Sequence, residues 1–228
     1  MNLAAVLFDL DGTLLDHDAS CTAAIRSWLP TYGIAQSDIE AAIPHWFELE
    51  QQHYPAWRAG EISFQEQRRR RTRDFFGALG IPVRAEDLDA VFAQYLAGYE
   101  AAWTAFDDAA PTLHRVAARG LRIGVLTNGD FAQQTAKLIA TGLFDHCGPV
   151  FASSALPAAK PDRRAFTEAC HRLGVSPAQV LMVGDNYEID VLGARAAGLS
   201  AIHLHRSARH PGPDQESIST LSHLLREC

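Results

Sequence analysis

The sequence predicts an α/β protein built on a doubly wound, mainly parallel five-stranded sheet and interrupted by an all-helical insertion. Three observations lead there. Five short runs rich in Val, Ile and Leu, namely Ala4–Phe8, Leu121–Leu126, Val150–Ala152, Val180–Val183 and Ala201–Leu204, are nearly unbroken in apolar character, the pattern of strands buried on both faces. Stretches of helical period, Phe131–Thr141, Arg163–Leu173 and Ile189–Ala197, separate the later runs. Strand, helix, strand alternation builds a parallel sheet with right-handed crossovers, the Rossmann-like arrangement. Finally, a hundred-odd residues part the first run from the second, far more than one crossover helix requires.

The first run ends at Phe8, and the insertion is read over residues 17–105, leaving 1–16 and 106–228 for the α/β core. That span holds 13 of the 20 aromatic residues and all four tryptophans, with no convincing strand run, so it can build a core of its own. Its expected helices are Ala19–Leu29, Ser37–Gln52, Ser63–Leu79 and Ala85–Ala102. Tyr32–Gly33, Pro55, Gly60 and the Gly80–Pro82 turn separate them. Ser37 or Asp38 is the expected N-cap of the second. Hinges fall near Leu15–Ala19 and Trp103–Asp108, and an insertion tethered at both ends can rock over the sheet's carboxyl edge, where open α/β folds bind ligands. After Leu204 the sequence predicts a loop through His210–Pro213 and a short helix, Glu216–Arg226.

Composition removes several function classes. The 228 residues carry 20 basic and 27 acidic side chains, a net charge of −7, and no basic tail concentrates the positive charge. A nucleic-acid backbone is therefore a poor partner. Cys21, Cys147, Cys170 and Cys228 are scattered without paired spacing, which fits neither a zinc site nor a disulfide framework and suggests reduced thiols in the cytoplasm. The N-terminus lacks a basic start, and Asp9 and Asp11 interrupt its apolar run, so neither a signal peptide nor a membrane span is expected.

Polar clusters fall at the carboxyl ends of the apolar runs, where the fold gathers them around one point. In FDLDGT, residues 8–13, Asp9 ends the strand and Asp11 follows two residues on, which projects both carboxylates to one side. Gly12 permits a turn or a close backbone approach. In LTNG, residues 126–129, Thr127 offers a hydroxyl, and backbone N–H groups precede a helix start suited to an anion. Lys160 stands before Pro161, which biases it towards extended backbone. VGDNYEID, residues 183–190, supplies Asp185 and Asp190. Carboxylates sharing one spot repel by roughly 4 kcal/mol per pair at about 4 Å and an effective dielectric of about 20, so they call for a cation. An oxygen-only ligand set suits Mg2+, usually held by one or two carboxylates plus a substrate phosphate.

Across nearly the whole chain these motifs resemble those of the haloacid dehalogenase-like (HAD) hydrolases, in particular the branch with a helical cap inserted after the first strand. The matching residues are Asp9, Asp11, Gly12, Thr13, Thr127, Lys160, Pro161, Gly184, Asp185 and Asp190. The resemblance implies a phosphomonoesterase acting on a small phosphorylated metabolite, as a monomer or homodimer. It makes Asp9 the nucleophile that becomes an aspartyl-phosphate, and Asp11 the acid and then the base. Asp9, the Asp11 carbonyl and Asp185 would hold Mg2+, with Asp190 orienting them from behind. Gly12, Thr127, the Asn128 N–H and Lys160 would surround the phosphoryl oxygens.

Other readings stand beside this one. A phosphotransferase or phosphomutase shares the aspartyl-phosphate, and a 2-haloacid dehalogenase shares the fold but typically lacks acids at the Asp11 and Asp185 positions. Phosphonatase relatives use a cap lysine, and residues 17–105 contain none. A non-catalytic binding module would have no use for the full set of polar residues. Lys160 also stands out by composition, because 18 of the 20 basic residues are Arg and Lys137 is the only other lysine. Arg68–Arg71 with Arg73 is read as the solvated face of a helix whose apolar side carries Phe64, Phe75 and Phe76. At least two of Trp46, Tyr54 and Trp57 are assigned to the insertion's core. His203 and His205 are read as packed or surface residues, and Asp16 and His17 as hinge polarity.

Overall fold

In a computed structural model of the protein, residues 3–206 and 217–224 are described. The chain divides into two compact units, one formed by everything up to His17 and from Trp103 onward, the other by Asp18–Ala102.

The first unit is built on six strands: β1 (Ala5–Phe8), β2 (Arg122–Thr127), β3 (Val150–Ala152), β4 (Val180–Gly184), β5 (Ser200–Leu204) and β6 (Ser217–Ile218). All pair in parallel, in the order β3-β2-β1-β4-β5-β6. The sixth strand corrects the expected five. It also replaces the start of the expected helix Glu216–Arg226, whose two end residues lie outside the described residues, as does the expected loop His210–Pro213. Ile218, Leu221 and Leu224 keep the three-residue spacing of a helix, yet they reach the core from a strand and a short turn. The open edge of β5 decides this, because its backbone groups need partners and find them in β6, down to the His205 N–H donating to the Ile218 carbonyl at 2.8 Å.

Both faces of the sheet are covered, as its apolar runs require. Val6 and Phe8 of β1 pack with Leu113 and Val116 of a helix over Ala109–Ala118, which is not among the expected elements. The alternate residues Ala5 and Leu7 face Ala165 and Phe166 of the helix Arg163–Leu173. Phe8, the last residue of β1, stands in register with Val125 on one neighbour and Val183 on the other, so β2, ending at Thr127, and β4, ending at Gly184, finish at the same edge of the sheet as β1. The expected helix Ile189–Ala197 opens instead with a wider, π-type turn, Tyr187–Leu192, before a short α-helix, Gly193–Ala196. Such turns recur at functional sites.

The second unit is helical: Gln36–Arg58, Phe64–Ala78 and Leu88–Ala101 follow a helix that begins at His17 and ends at Trp28. Pro44 and Pro55 lie inside the 36–58 helix without ending it, where a break was expected at Pro55. The N-cap of that helix is Ala35 rather than Ser37 or Asp38, and Asp38 sits in the first turn facing the positive end of the dipole. Trp46 is fully buried, with ring centroids 4.8 Å from Phe75 and 4.5 Å from Tyr95. Tyr54 and Trp57 are half-buried and pack on each other and on Phe64, so only one of the three aromatics is fully enclosed. Arg71 departs from the solvated face expected of it: its guanidinium is buried, bonded to Glu50 at 2.7 Å and stacked 4.0 Å over the Trp46 ring. A long side chain that pairs its charge can cover apolar surface in this way.

Candidate active site

The neighbouring carboxyl ends of β1, β2 and β4 place the polar motifs together. Asp9 follows Phe8 directly, and its N–H continues the ladder by donating to the Val183 carbonyl at 2.9 Å. Lys160, almost fully enclosed at 2% exposure, donates to Asp9 Oδ1 at 2.7 Å and to Asp190 Oδ1 at 2.6 Å. An ammonium this deeply buried is tolerated only when paired. Burial alone would lower its pKa, but Asp190 and Asp9 more than reverse that and raise it.

Three carboxylates, of Asp9, Asp185 and Asp190, bring oxygens within 4.8 Å of one another. Burial pushes Asp9 up to about 7 against the pull of Lys160, with Asp190 adding to the rise. Asp185 is raised well above the usual carboxylate range by burial and by its acidic neighbours Asp9 and Asp190. A cluster whose negative charge is this poorly compensated has the donor set of a hard cation, so the residues present fit Mg2+. Two glycines make the crowding possible. A Cβ on Gly12, whose φ is +80°, would collide with the Asp185 carboxylate, and one on Gly184 with that of Asp190.

Asp190 reaches Lys160 through the π-type turn: its Oδ2 accepts the Asn186 N–H at 3.1 Å, while Asn186 Oδ1 caps the turn by accepting the Ile189 N–H. Asp11 is turned elsewhere. Its carboxylate is absent from the three-carboxylate cluster and accepts from Lys137 Nζ at 2.8 and 2.6 Å and from Gln134 Nε2 at 3.2 Å. Burial pushes Asp11 up, but Lys137, with His17 at 3.8 Å and Gln134, outweighs it and holds the carboxyl below its ordinary range. Thr127 closes β2, buried, and accepts from Gln134 Nε2 at 2.7 Å. Asn128 uses its side chain on the main chain of Lys160.

Two residues here, Lys137 and Gln134, lie outside the expected site. For Lys137 the signal available in the sequence is composition alone, since it is one of two lysines among 20 basic residues. Gln134 carried none. His203 is packed, as expected, and its Nε2 donates to the Asp185 carbonyl at 2.9 Å.

The chain is 31% identical over 204 residues to the glyceraldehyde 3-phosphate phosphatase of Methanothermobacter thermautotrophicus, covering 88% of this chain and 84% of that one. It is 36% identical over 135 residues to the phosphoserine phosphatase of Thermus thermophilus, covering 59% of this chain and only about half, 53%, of that protein's length. The HAD hydrolase YfnB of Bacillus subtilis, solved with magnesium, superposes with a TM-score of 0.82 at 21% identity over 97% of this chain and 96% of its own; solved L-2-haloacid dehalogenases share the fold too. No helix among the described residues is long and apolar enough to cross a membrane. The haloacid dehalogenase-like hydrolase family model matches residues 3–198: this chain belongs to the haloacid dehalogenase-like hydrolases.

Proposed function

We propose that the protein is a Mg2+-dependent phosphatase that hydrolyses a small phosphorylated metabolite through an aspartyl-phosphate on Asp9. The observation that carries this reading is the contact of one buried ammonium, Lys160, with both Asp9 and Asp190, beside a third carboxylate at the sheet's carboxyl edge. A dianionic phosphate needs such fixed positive charge before an anionic nucleophile can approach it.

An Asp9 carboxylate oxygen forms the bond to phosphorus as the bond to the leaving oxygen breaks, and Asp11 gives that oxygen its proton. Water then attacks the same phosphorus, gives a proton to Asp11, and the bond to Asp9 breaks to release phosphate and restore the carboxylate. In the structure Lys137 holds Asp11 ionised, so Asp11 takes up one proton from solvent before the first step, and the attacking water of the second step restores it. Lys160, the Thr127 hydroxyl and the Asn128 N–H neutralise the phosphoryl oxygens, and Gly12 lets the backbone approach them. Asp9, the Asp11 carbonyl and Asp185 would hold the Mg2+, with Asp190 and His203 behind them, and the ion would supply positive charge against the phosphate oxygens.

The named activities of the relatives support a small phosphate ester as substrate. Acidic residues at the Asp11 and Asp185 positions weigh against dehalogenation. The test is hydrolysis of 4-nitrophenyl phosphate with and without Mg2+. Wild type turns it over with the metal, and Asp9→Asn falls to background. Wild-type protein inert towards every phosphate ester and metal tried would instead make the protein a binding module.

A further inference from the structure

We propose that Lys137 and Gln134 are positioning residues that hold the Asp11 carboxyl in place for its proton transfers; this rests on the reading of Asp11 as acid and base.

Asp11 lies beyond the end of β1, in an isolated bridge with Leu15 outside the sheet, so the sheet's ladder does not fix its side chain. What fixes it comes from another element. Gln134 and Lys137 stand three residues apart on the helix Phe131–Ala140 and therefore share a face. Lys137, 3% exposed, spans both Asp11 oxygens at 2.8 and 2.6 Å. Gln134, 2% exposed, donates from one nitrogen to Asp11 Oδ2 at 3.2 Å and to Thr127 Oγ1 at 2.7 Å, which ties the loop carboxylate to the end of β2. Gly129 leaves room for this, since a Cβ there would come within 3.1 Å of the Gln134 carboxamide.

Burying an ammonium costs stability unless it is paired, and this chain otherwise uses Arg for its positive charge, 18 times in 20. Each of its two lysines is buried, and each ends on one aspartate of the DLD segment. A compact point charge straddles a carboxylate without imposing the planar fork of a guanidinium. The geometry has a catalytic consequence because a displacement of about 1 Å in a proton-transfer group can cost about a hundredfold in rate.

Two measurements test the inference. The first is a double-mutant cycle on 4-nitrophenyl phosphate with Mg2+. Lys137→Met lowers kcat by roughly 10- to 100-fold with KM nearly unchanged, Gln134→Leu does so more weakly, and Lys137→Met/Asp11→Asn is no slower than Asp11→Asn alone, because Lys137 acts only through Asp11. Losses that multiply would overturn the proposal.

The second measurement needs no metal or turnover. Protein labelled with 15N in its two lysine side chains gives two ammonium signals, assigned with Lys137→Arg. Asp11→Asn shifts the Lys137 signal and leaves that of Lys160 in place; an unmoved Lys137 signal overturns the contact. An Asp11→Asn variant that turns over as wild type would overturn instead the reading of Asp11 itself, whatever the lysine signals show.

Discussion

Asn128 grips the main chain of Lys160 on both sides: its Oδ1 accepts the Lys160 N–H at 2.8 Å and its Nδ2 donates to the Lys160 carbonyl at 2.9 Å. A residue at the start of one loop thereby sets the height at which an ammonium from another loop meets Asp9 and Asp190. Asn128→Ala leaves both of those backbone groups without their partner, at about 1–3 kcal/mol for an unmet buried group. The expected outcome is a lower midpoint of unfolding together with a kcat reduced by about tenfold or more. Unchanged kcat would show that Lys160 is placed by something else.

Lys160→Arg conserves the charge but is expected to lose most activity. The site encloses the ammonium at 2% exposure between two carboxylates only 2.7 and 2.6 Å from it, and a planar guanidinium is larger and differently directed. Steady-state kinetics on 4-nitrophenyl phosphate decide the matter, and wild-type turnover in the variant would reduce Lys160 to a structural counter-charge.

Metal binding separates the roles of the acids without any turnover. In a calorimetric titration with Mg2+ alone, Asp185→Asn is expected to weaken binding by about tenfold or more, since ligand carboxylates dominate a hard cation's site. Asp11→Asn is expected to retain binding, because its carbonyl rather than its carboxyl is the assigned ligand. The reverse ranking would reassign both residues.

Away from the site, Asp108 gives the protein a pH dependence. Burial pushes its carboxyl up, but Arg206, Thr220 and the Leu221 N–H together hold it below the ordinary range. A folded-state pKa below the unfolded value of about 3.9 adds stability that is present above that value and is lost as the pH falls through the folded one. Asp108→Asn should therefore unfold at a lower temperature than wild type near pH 7, with the gap closing towards pH 3. A gap that stays constant between those two pH values would mean that the carboxylate's charge contributes nothing.

Much of the architecture was legible because its signals are local. The Ala5–Phe8, Val150–Ala152 and Val180–Gly184 strands lie where the apolar runs lie, and buried parallel strands cannot be polar on either face. Ser63 and Asp162 cap their helices with their own side chains, a contact made within three residues. The structure departs from the expected one where a local pattern has a competitor at a distance. The three-residue spacing of Ile218, Leu221 and Leu224 reads as a helix until the open edge of β5 is known, and Arg71 reads as solvated until Glu50 and Trp46 enclose it.

The candidate site divides along the same line. The motif residues could be picked out in order along the chain, and the order of strands sufficed to bring Asp9, Lys160, Asp185 and Asp190 to one edge. Only the tertiary structure decided how they pair: that Lys160 serves Asp9 and Asp190 together, that Asp11 turns away to Lys137, 126 residues off in sequence, and that a histidine on β5 holds the Asp185 carbonyl. The amino-acid order determines which residues prefer a strand end or a helix face, because those preferences are settled by neighbours within a few positions. Which charge meets which is settled by crossover geometry and burial, since the energy of a pair depends on a separation of a few ångströms that no spacing along the chain specifies.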